Sequence, residues 1–355
     1  MSPPSATADV IIVGAGLIGL TLARELHQRG FRVMVFDRGE AGREASWAGA
    51  GMLAGMLTSN ASLRPLALAG AKLYPLWAAE LERETYLSVG YRRSGTIIIG
   101  GTPQSDWEPI DAQALEPEVR TPPGAAAWLL RDDHSVDNRA VVRALVASVR
   151  ARGIHLREHT PVAAIEAGVA GEAGANVIVA GERITAPVVI NAAGAWAGTL
   201  PAPFAVPVRP RKGQMLRLRS SLQLERVVEA PGIYLVPRAG GRLLVGATVE
   251  DVGFDRGVEA EAIAGLRRRA EALVPGLAEA EMEECWSGLR PCSPDELPII
   301  GPTSVAGYWV TTAHFRDGIL LAPLTAKIIT NALREGRLTQ ALDLNPFLPR
   351  RFESV

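Results

Sequence analysis

The sequence predicts an α/β protein in which β-α-β material at both ends of the chain encloses a mainly antiparallel middle. Three observations carry this. The apolar run DVIIV (9–13), the glycine-rich GAGLIG, the helical-period LTLARELHQRG and the strand RVMVF (32–36) form one β-α-β unit of about 30 residues. Near the other end, YWVTTA (308–313), HFRDG and the apolar helix ILLAPLTAKIITNAL form a second strand–helix unit. Between them, VPVRPRKGQMLRLR, IYLVPR and RLLVGATVE read as antiparallel strands, the last two joined by the hairpin turn AGG (239–241).

The remaining elements follow in order. The first helix stops at Gly30, a good terminator, and the second strand ends at Asp37. GREASWAGAGML (42–53) is too rich in glycine for an ordinary helix. An amphipathic helix is expected over roughly 61–88, a strand in SGTIIIGG (94–101) and a turn at TPPG (121–124). Asp137 is placed to N-cap a helix over 141–153. Short strands follow, the most apolar being VVINAAGAWA (188–197), and a helix is expected over 258–273. The chain is long enough for about two domains. The expected division is a discontinuous nucleotide-binding domain of 1–88, 137–210 and 285–355, with a substrate-binding domain of 89–136 and 211–284 inserted in two pieces.

Composition narrows the function. Apolar residues make up 48%, enough for a sizeable core, and 37 basic residues nearly cancel 38 acidic ones. Long-range attraction to nucleic acid or to an anionic membrane is therefore not expected. No run of about 18 apolar residues reads as a membrane span. The start MSPPSATADVIIVGAG lacks the basic segment of a secretory signal. The two cysteines, Cys285 and Cys292, form neither a C-x-x-C pair nor a framework, which suits a reducing cytoplasm. His155 and His159 lie on an expected strand and share no helical face, so no metal site is expected.

Gly14-Ala15-Gly16-Leu17-Ile18-Gly19 matches G-x-G-x-x-G between a strand and a helix, and Asp37 follows 18 positions after its last glycine. That context makes it a Rossmann-like dinucleotide fingerprint. Gly14 permits the tight turn, Gly16 lets the backbone approach a pyrophosphate, and Gly19 lets helix and strand pack closely. The helix N-terminus supplies N–H donors and the positive end of a dipole. Asp37 can accept from an adenosine ribose and repels a 2′-phosphate, which argues against NADP. FAD and NAD remain open on the fingerprint alone.

The run from the fingerprint through FDRGEAGREASWAGAGML resembles the FAD-dependent amino-acid oxidases of the D-amino-acid oxidase and sarcosine oxidase superfamily. Within it, the likeness is to glycine oxidases of the thiamine-biosynthesis type. RKGQMLRL (211–218), YLVPRAGGRLLVGATVE (234–250), WSGLRPCSPDELPIIGP (286–302), HFRDGILLAP (314–323) and NAAGAWA (191–197) extend it from residue 9 to about 335. The resemblance implies a D-amino-acid oxidase-like fold and a non-covalent FAD. It puts Leu17 and Ile18 at the pyrophosphate, Asp37 and Arg38 at the adenosine end, and the backbone of Val162 at the adenine. It puts Ala45, Ser46, Ala50, Gly51 and Met52 along the flavin, with Gly194 and Trp196 also at the cofactor. His314, Phe315, Arg316, Asp317, Gly318, Ile319 and Leu320 would wrap the flavin ring. Small residues suit such roles, because backbone amides must reach a flat ring edge. The helix opening at Gly318 would point a positive dipole end at the flavin. Asp317 stands where relatives often carry asparagine; it could cap that helix or pair with Arg316.

The resemblance also makes Arg290 the anchor for a substrate carboxylate. A guanidinium offers two parallel donors and does not lose its charge. The competing reading is an ion pair with Asp295 or Glu296. Arg316 is placed near the substrate too, against a salt bridge to Asp317 or Glu284. Tyr234 would close the pocket and donate its hydroxyl, against an ordinary core aromatic. Met52 and Val249 would form apolar walls, against plain core packing. No side-chain acid or base is assigned, since hydride leaves from an already neutral amine.

The implied activity is oxidative deamination of glycine, with sarcosine and small D-amino acids as further candidates. It would give an imine and then glyoxylate, reduce O₂ to H₂O₂, and serve thiazole synthesis for thiamine. A homo-oligomer, a tetramer by the resemblance, is expected. Two alternatives stand beside it: a dehydrogenase of the same fold passing electrons to a quinone or other acceptor, and a flavin-binding redox sensor without turnover.

Overall fold

The structure is a computed structural model that describes residues 8–58, 60–168, 174–336 and 342–353. Its first sheet has six strands in the order Ile299–Pro302, Tyr308–Thr312, Val188–Asn191, Val10–Val13, Val33–Phe36 and His155–Arg157. All neighbours are parallel except the first pair. The central strands VIIV and VMVF are buried along their whole length, because layers cover both faces of the sheet. One layer consists of helices Leu17–Gln28, Leu63–Thr85, Asn138–Ala151 and Gly318–Glu335, which share a core with Ile12, Val35 and Ile190. The other is a three-stranded antiparallel sheet (Val162–Ala167, Ala175–Val179, Glu182–Ala186), packed through Ile165 and Val177 on Ile11, Val13 and Phe36.

The second large sheet has eight strands: Glu281–Cys292, Arg209–Arg219, Arg242–Gly246, Ile233–Arg238, Val227–Ala230, Thr96–Ile99, Ala127–Leu130 and Glu108–Ile110. It is antiparallel apart from the pairing of Val227–Ala230 with Thr96–Ile99. The AGG hairpin forms as expected, with Gly240 and Gly241 at φ +73° and +69°. Alternation sorts the two faces. Leu216, Leu218, Val228, Leu235 and Val245 pack under helix Ala260–Leu273. Met215, Val227, Tyr234, Val236 and Leu244 face Ala50 and Met52 of the glycine-rich segment.

Asp137 caps its helix as anticipated: its Oδ1 accepts from the Ala140 N–H at 3.0 Å, and the helix starts at Asn138, three residues before the expected start. The boundaries drawn at 210/211 and 284/285 fall inside strands Arg209–Arg219 and Glu281–Cys292, which pair continuously. The strand that carries Arg290 therefore belongs to the eight-stranded sheet through Cys292. Strands Glu108–Ile110, Ala127–Leu130 and Val227–Ala230 were not anticipated; each is short and lies near proline or glycine. Among the described residues, no helix is long and apolar enough to cross a membrane.

Candidate active site

The fingerprint glycines are explained by close approach. A Cβ on Gly14 (φ +110°) would lie 2.4 Å from the Ala192 carbonyl oxygen, and one on Gly19 would lie 2.0 Å from the Gly14 carbonyl oxygen. Gly16 differs, since its Cβ would meet only Ser46 Oγ, at 3.4 Å. Protein packing does not demand a glycine there. What the missing side chain does is leave the backbone open to a cavity of ≈ 340 Å³.

That cavity is lined by Gly14, Gly16, Asp37, Arg38, Ala45, Ser46, Val162, Gly194 and Trp196, gathered from four separate stretches of chain. Asp37 takes the Ala15 N–H at 2.7 Å on one oxygen and the Gly39 N–H at 2.8 Å on the other. Burial pushes its carboxyl above the usual range while those N–H groups pull the other way. Each oxygen keeps a lone pair for a ribose hydroxyl. The Leu17 N–H donates to Ser46 Oγ at 2.8 Å, so at that point a hydroxyl stands between the helix N-terminus and the cavity. The Arg38 guanidinium lies 3.6 Å from the centroid of the Trp196 ring, and Trp196 packs on Phe254 at 5.5 Å. Glu44 pairs with both Arg38 (3.0 Å) and Arg256 (3.2 Å), so the loop carrying Phe254 and Arg256 leans onto this end of the cavity. An open glycine backbone at a helix start, a half-buried carboxylate and a flat cationic–aromatic stack fit an adenine dinucleotide.

The glycine-rich segment is held by side chains from other elements. Ala45–Ala48 forms a single helical turn. Asn138 Nδ2 donates to the carbonyls of Ser46 (2.9 Å) and Trp47 (3.0 Å), and Trp286 Nε1 donates to that of Ala48 (3.0 Å). The buried Arg238 guanidinium donates to the Ala50 carbonyl. Gly51, at φ +69°, passes so close to Val136 that a Cβ would be 2.0 Å from its carbonyl oxygen. Four carbonyls are thus satisfied from outside, which fixes a segment too glycine-rich to hold its own shape. Asn138, Arg238 and Trp286 were missed in the sequence because nothing in their spacing points to a distant backbone partner.

On the far side, His314 is 3% exposed, its Nε2 lies 3.1 Å from Thr325 Oγ1, and burial lowers its pKa to about 3. It is neutral and hydrogen-bonded. Ala313 and Phe315 adopt left-handed backbone (φ +58° and +45°), which turns the chain into helix Gly318–Glu335. Leu320 is buried in the core, and Ile319 packs against it. Asp317 occupies the N-cap position but its carboxylate makes no capping hydrogen bond. Nor does it pair with Arg316 within ion-pair distance; burial raises its pKa to about 6, and the Arg316 charge only moderates this. The cap fails because, with φ −102° and ψ 8°, the Asp317 backbone departs from the extended N-cap form, and the exposed Arg316 guanidinium lies by the Phe315 ring instead.

Arg290 has no carboxylate partner among the described residues. Asp295 is taken by Arg351 at 2.8 Å, which removes it as the expected structural partner. The Arg290 guanidinium lies flat over Gly213, where a Cβ would fall 2.3–2.5 Å from its atoms. Its Nη1 donates to the Thr248 carbonyl at 3.2 Å, and the Tyr234 hydroxyl donates to Met215 Sδ at 3.6 Å. Tyr234 leans over Gly246, where a Cβ would be 2.6 Å from the ring. Burial raises the pKa of Tyr234, against the pull of Arg290 and Arg316. Arg316 is exposed, 5.2 Å from the Phe315 ring; its alternative partner Glu284 is bound by Arg139 (2.9 Å) and Arg217 (3.0 Å) instead. Met52 packs with Tyr234 and Met215. Val249 does not join that wall. It is 41% exposed: Thr248 and Glu250 on either side still bond to strand Arg209–Arg219, and Val249 between them turns outward.

Sequence reasoning missed Glu229. It stands opposite Tyr234 on the neighbouring strand, and its carboxylate makes no hydrogen bond or ion pair among the described residues. Burial pushes its pKa up to about 7, with the Arg316 charge opposing. The surrounding VVEA reads as an ordinary strand, and only the register shows which way the carboxylate faces.

The two regions are joined by strand Glu281–Cys292, from whose opposite faces Leu289 and Arg290 project. Leu289, next to Arg290, lines the dinucleotide cavity. The cavity fits a dinucleotide, and the Arg290 guanidinium meets no carboxylate among the described residues. Comparisons with known proteins give the family. The family model for FAD dependent oxidoreductases (DAO) matches residues 9–332. A glycine oxidase of Pseudomonas aeruginosa is 35% identical, over 96% of this chain and 98% of that protein. The bifunctional protein ThiO/ThiG of Trichormus variabilis is also 35% identical, over 93% of this chain but 53% of its own length. The crystal structure of glycine oxidase from Geobacillus kaustophilus superposes with a TM-score of 0.90 at 33% identity, covering 97% of this chain and 99% of that one. The chain therefore belongs to the DAO family of FAD-dependent oxidoreductases.

Proposed function

We propose that this chain is an FAD-dependent oxidase of small amino acids, with glycine as its first substrate and O₂ as electron acceptor. The observation that carries the reading is Arg290, a guanidinium without a carboxylate partner among the described residues, held over Gly213 beside Tyr234. Arg290 binds the substrate carboxylate bidentately, Tyr234 closes the pocket over it, and Arg316 stands at its mouth. Met52 forms an apolar wall and Val249 lies at the rim. When bound, FAD supplies the two-electron oxidant that takes hydride from the α-carbon. The neutral His314 supports the loop around it and moves no proton. In this reading the six-stranded sheet and its layers form the cofactor unit, and the eight-stranded sheet forms the substrate unit. A place in thiazole synthesis, a cytoplasmic location and a tetrameric assembly belong to the same reading, supported by the resemblance to glycine oxidases and ThiO proteins.

The test is a peroxide assay on the purified yellow protein across glycine, sarcosine, D-alanine and D-proline. Fastest release with glycine is the expected result. Turnover only with an artificial dye would favour the dehydrogenase alternative. A flavin that no small amino acid reduces without oxygen would favour the redox sensor.

A further inference from the structure

The substrate face of the eight-stranded sheet carries a carboxylate to which the reaction described so far gives no task. Glu229 lies directly across from Tyr234 in an antiparallel pair, so the two side chains leave the sheet on the same side, with Cβ atoms roughly 5 Å apart. Val227, two residues earlier, packs on Ala50, Met215 and Val236, which fixes that side as the one facing the cofactor segment. The helix-covered face takes Val228 instead.

The charged groups around Glu229 come from three elements. Tyr234 faces it on one neighbouring strand, while Ile98 on the other is apolar. Arg316 acts on it from the loop before the last helix. Asp133, fully buried just after strand Ala127–Leu130, has its pKa pushed up to about 7 by burial and then by the Glu229 charge, and has one oxygen with no partner. Tyr234 feels Arg290, Arg316 and Glu229 together, so its phenol sits where both signs of charge meet. An amino-acid zwitterion has the matching pattern: carboxylate toward the guanidinium, ammonium toward the carboxylate.

We propose that Glu229 is the amine-side group of the pocket: it takes the substrate's ammonium while Arg290 holds the carboxylate, and accepts one proton from it. An N–H bond of the ammonium breaks and a carboxyl O–H bond forms on Glu229. The amine becomes neutral and Glu229 uncharged, with no change of oxidation state; the proton passes to water when product leaves. Loss of hydride from the α-carbon requires that neutral amine. Burial has already moved the Glu229 carboxyl to about pH 7, which matches it to proton transfer near neutrality.

This rests on the amino-acid oxidase reading, and the experiment separates the two. With whichever small amino acid gives most peroxide, kcat/KM is measured from pH 5 to 10 for the wild type, Glu229→Gln and Glu229→Asp. Binding of acetate, which has the carboxylate but no amine, is followed alongside. The wild type should lose about tenfold per pH unit below about pH 7. Glu229→Gln should fall at least about tenfold at pH 8 and lose that acid limb, while acetate binds as well as before or more tightly. Glu229→Asp should keep the limb. An acid limb unchanged in Glu229→Gln, or absent from both variants, overturns the proposal. A wild type that oxidises no amino acid overturns the functional reading instead.

Discussion

Arg290 shows how a single charge is kept ready. Its guanidinium is aimed by the Thr248 carbonyl and lies over Gly213, and neither neutralises it. Removing one partner of a buried charge pair costs about 2–5 kcal/mol. Arg290→Met should therefore raise KM for the amino acid at least about 30-fold while flavin absorbance is retained; steady-state kinetics with a visible spectrum check this. Gly213→Ala makes a subtler test. The three atoms nearest its new Cβ all belong to the Arg290 guanidinium, the end of a flexible side chain, so the fold should survive while the guanidinium is displaced. KM should rise about tenfold with an unchanged melting temperature. Sequence made Arg290 legible because its flanking residues carry a family resemblance. Glu229 stayed hidden because a lone glutamate on an alternating strand declares nothing until the register fixes its face.

At the scale of elements, three helices meet on one carboxylate. Glu84, in the last turn of helix Leu63–Thr85, binds Arg24 of helix Leu17–Gln28 at 2.6 Å, and Ser148 (2.5 Å) and Arg152 (2.6 Å) at the end of helix Asn138–Ala151. Burial would raise its pKa, but the three hydrogen-bond donors overcome this and hold it at about 2. The folded value is below the unfolded one, so the contribution is present above about pH 4.5 and fades as pH falls toward 2. Glu84→Gln should lose roughly 1–2 kcal/mol at pH 7, with the gap to wild type at pH 3 less than half of that. Urea titrations at both pH values check this. The helices themselves were readable from apolar periodicity and from the Asp137 cap. The strands Ala127–Leu130 and Val227–Ala230 were not, since each is too short to show a period, and what defines them is pairing with Thr96–Ile99. The expected boundaries failed for a related reason: nothing within Arg209–Arg219 or Glu281–Cys292 marks where the chain enters the second sheet.

Over the whole molecule, the cavity has walls from both large sheets. Gly14, Asp37 and Ala192 come from the six-stranded one and Leu289 from the eight-stranded one. Ion pairs such as Arg139–Glu284 tie helix Asn138–Ala151 to the same long strand. A ligand there couples the two halves, so FAD at a free concentration 100 times its Kd should stabilise the protein by about 2.7 kcal/mol in one cooperative transition. Calorimetry of the stripped and reloaded protein checks this; two transitions of which only one shifts would contradict it. The stack of Phe254, Trp196 and Arg38, braced by Arg256 on Glu44, carries a kinetic consequence. It works as a latch thrown from one half of the protein onto the other. How long the yellow colour survives dialysis is then governed by how often the latch lifts, and affinity measured at equilibrium says little about it.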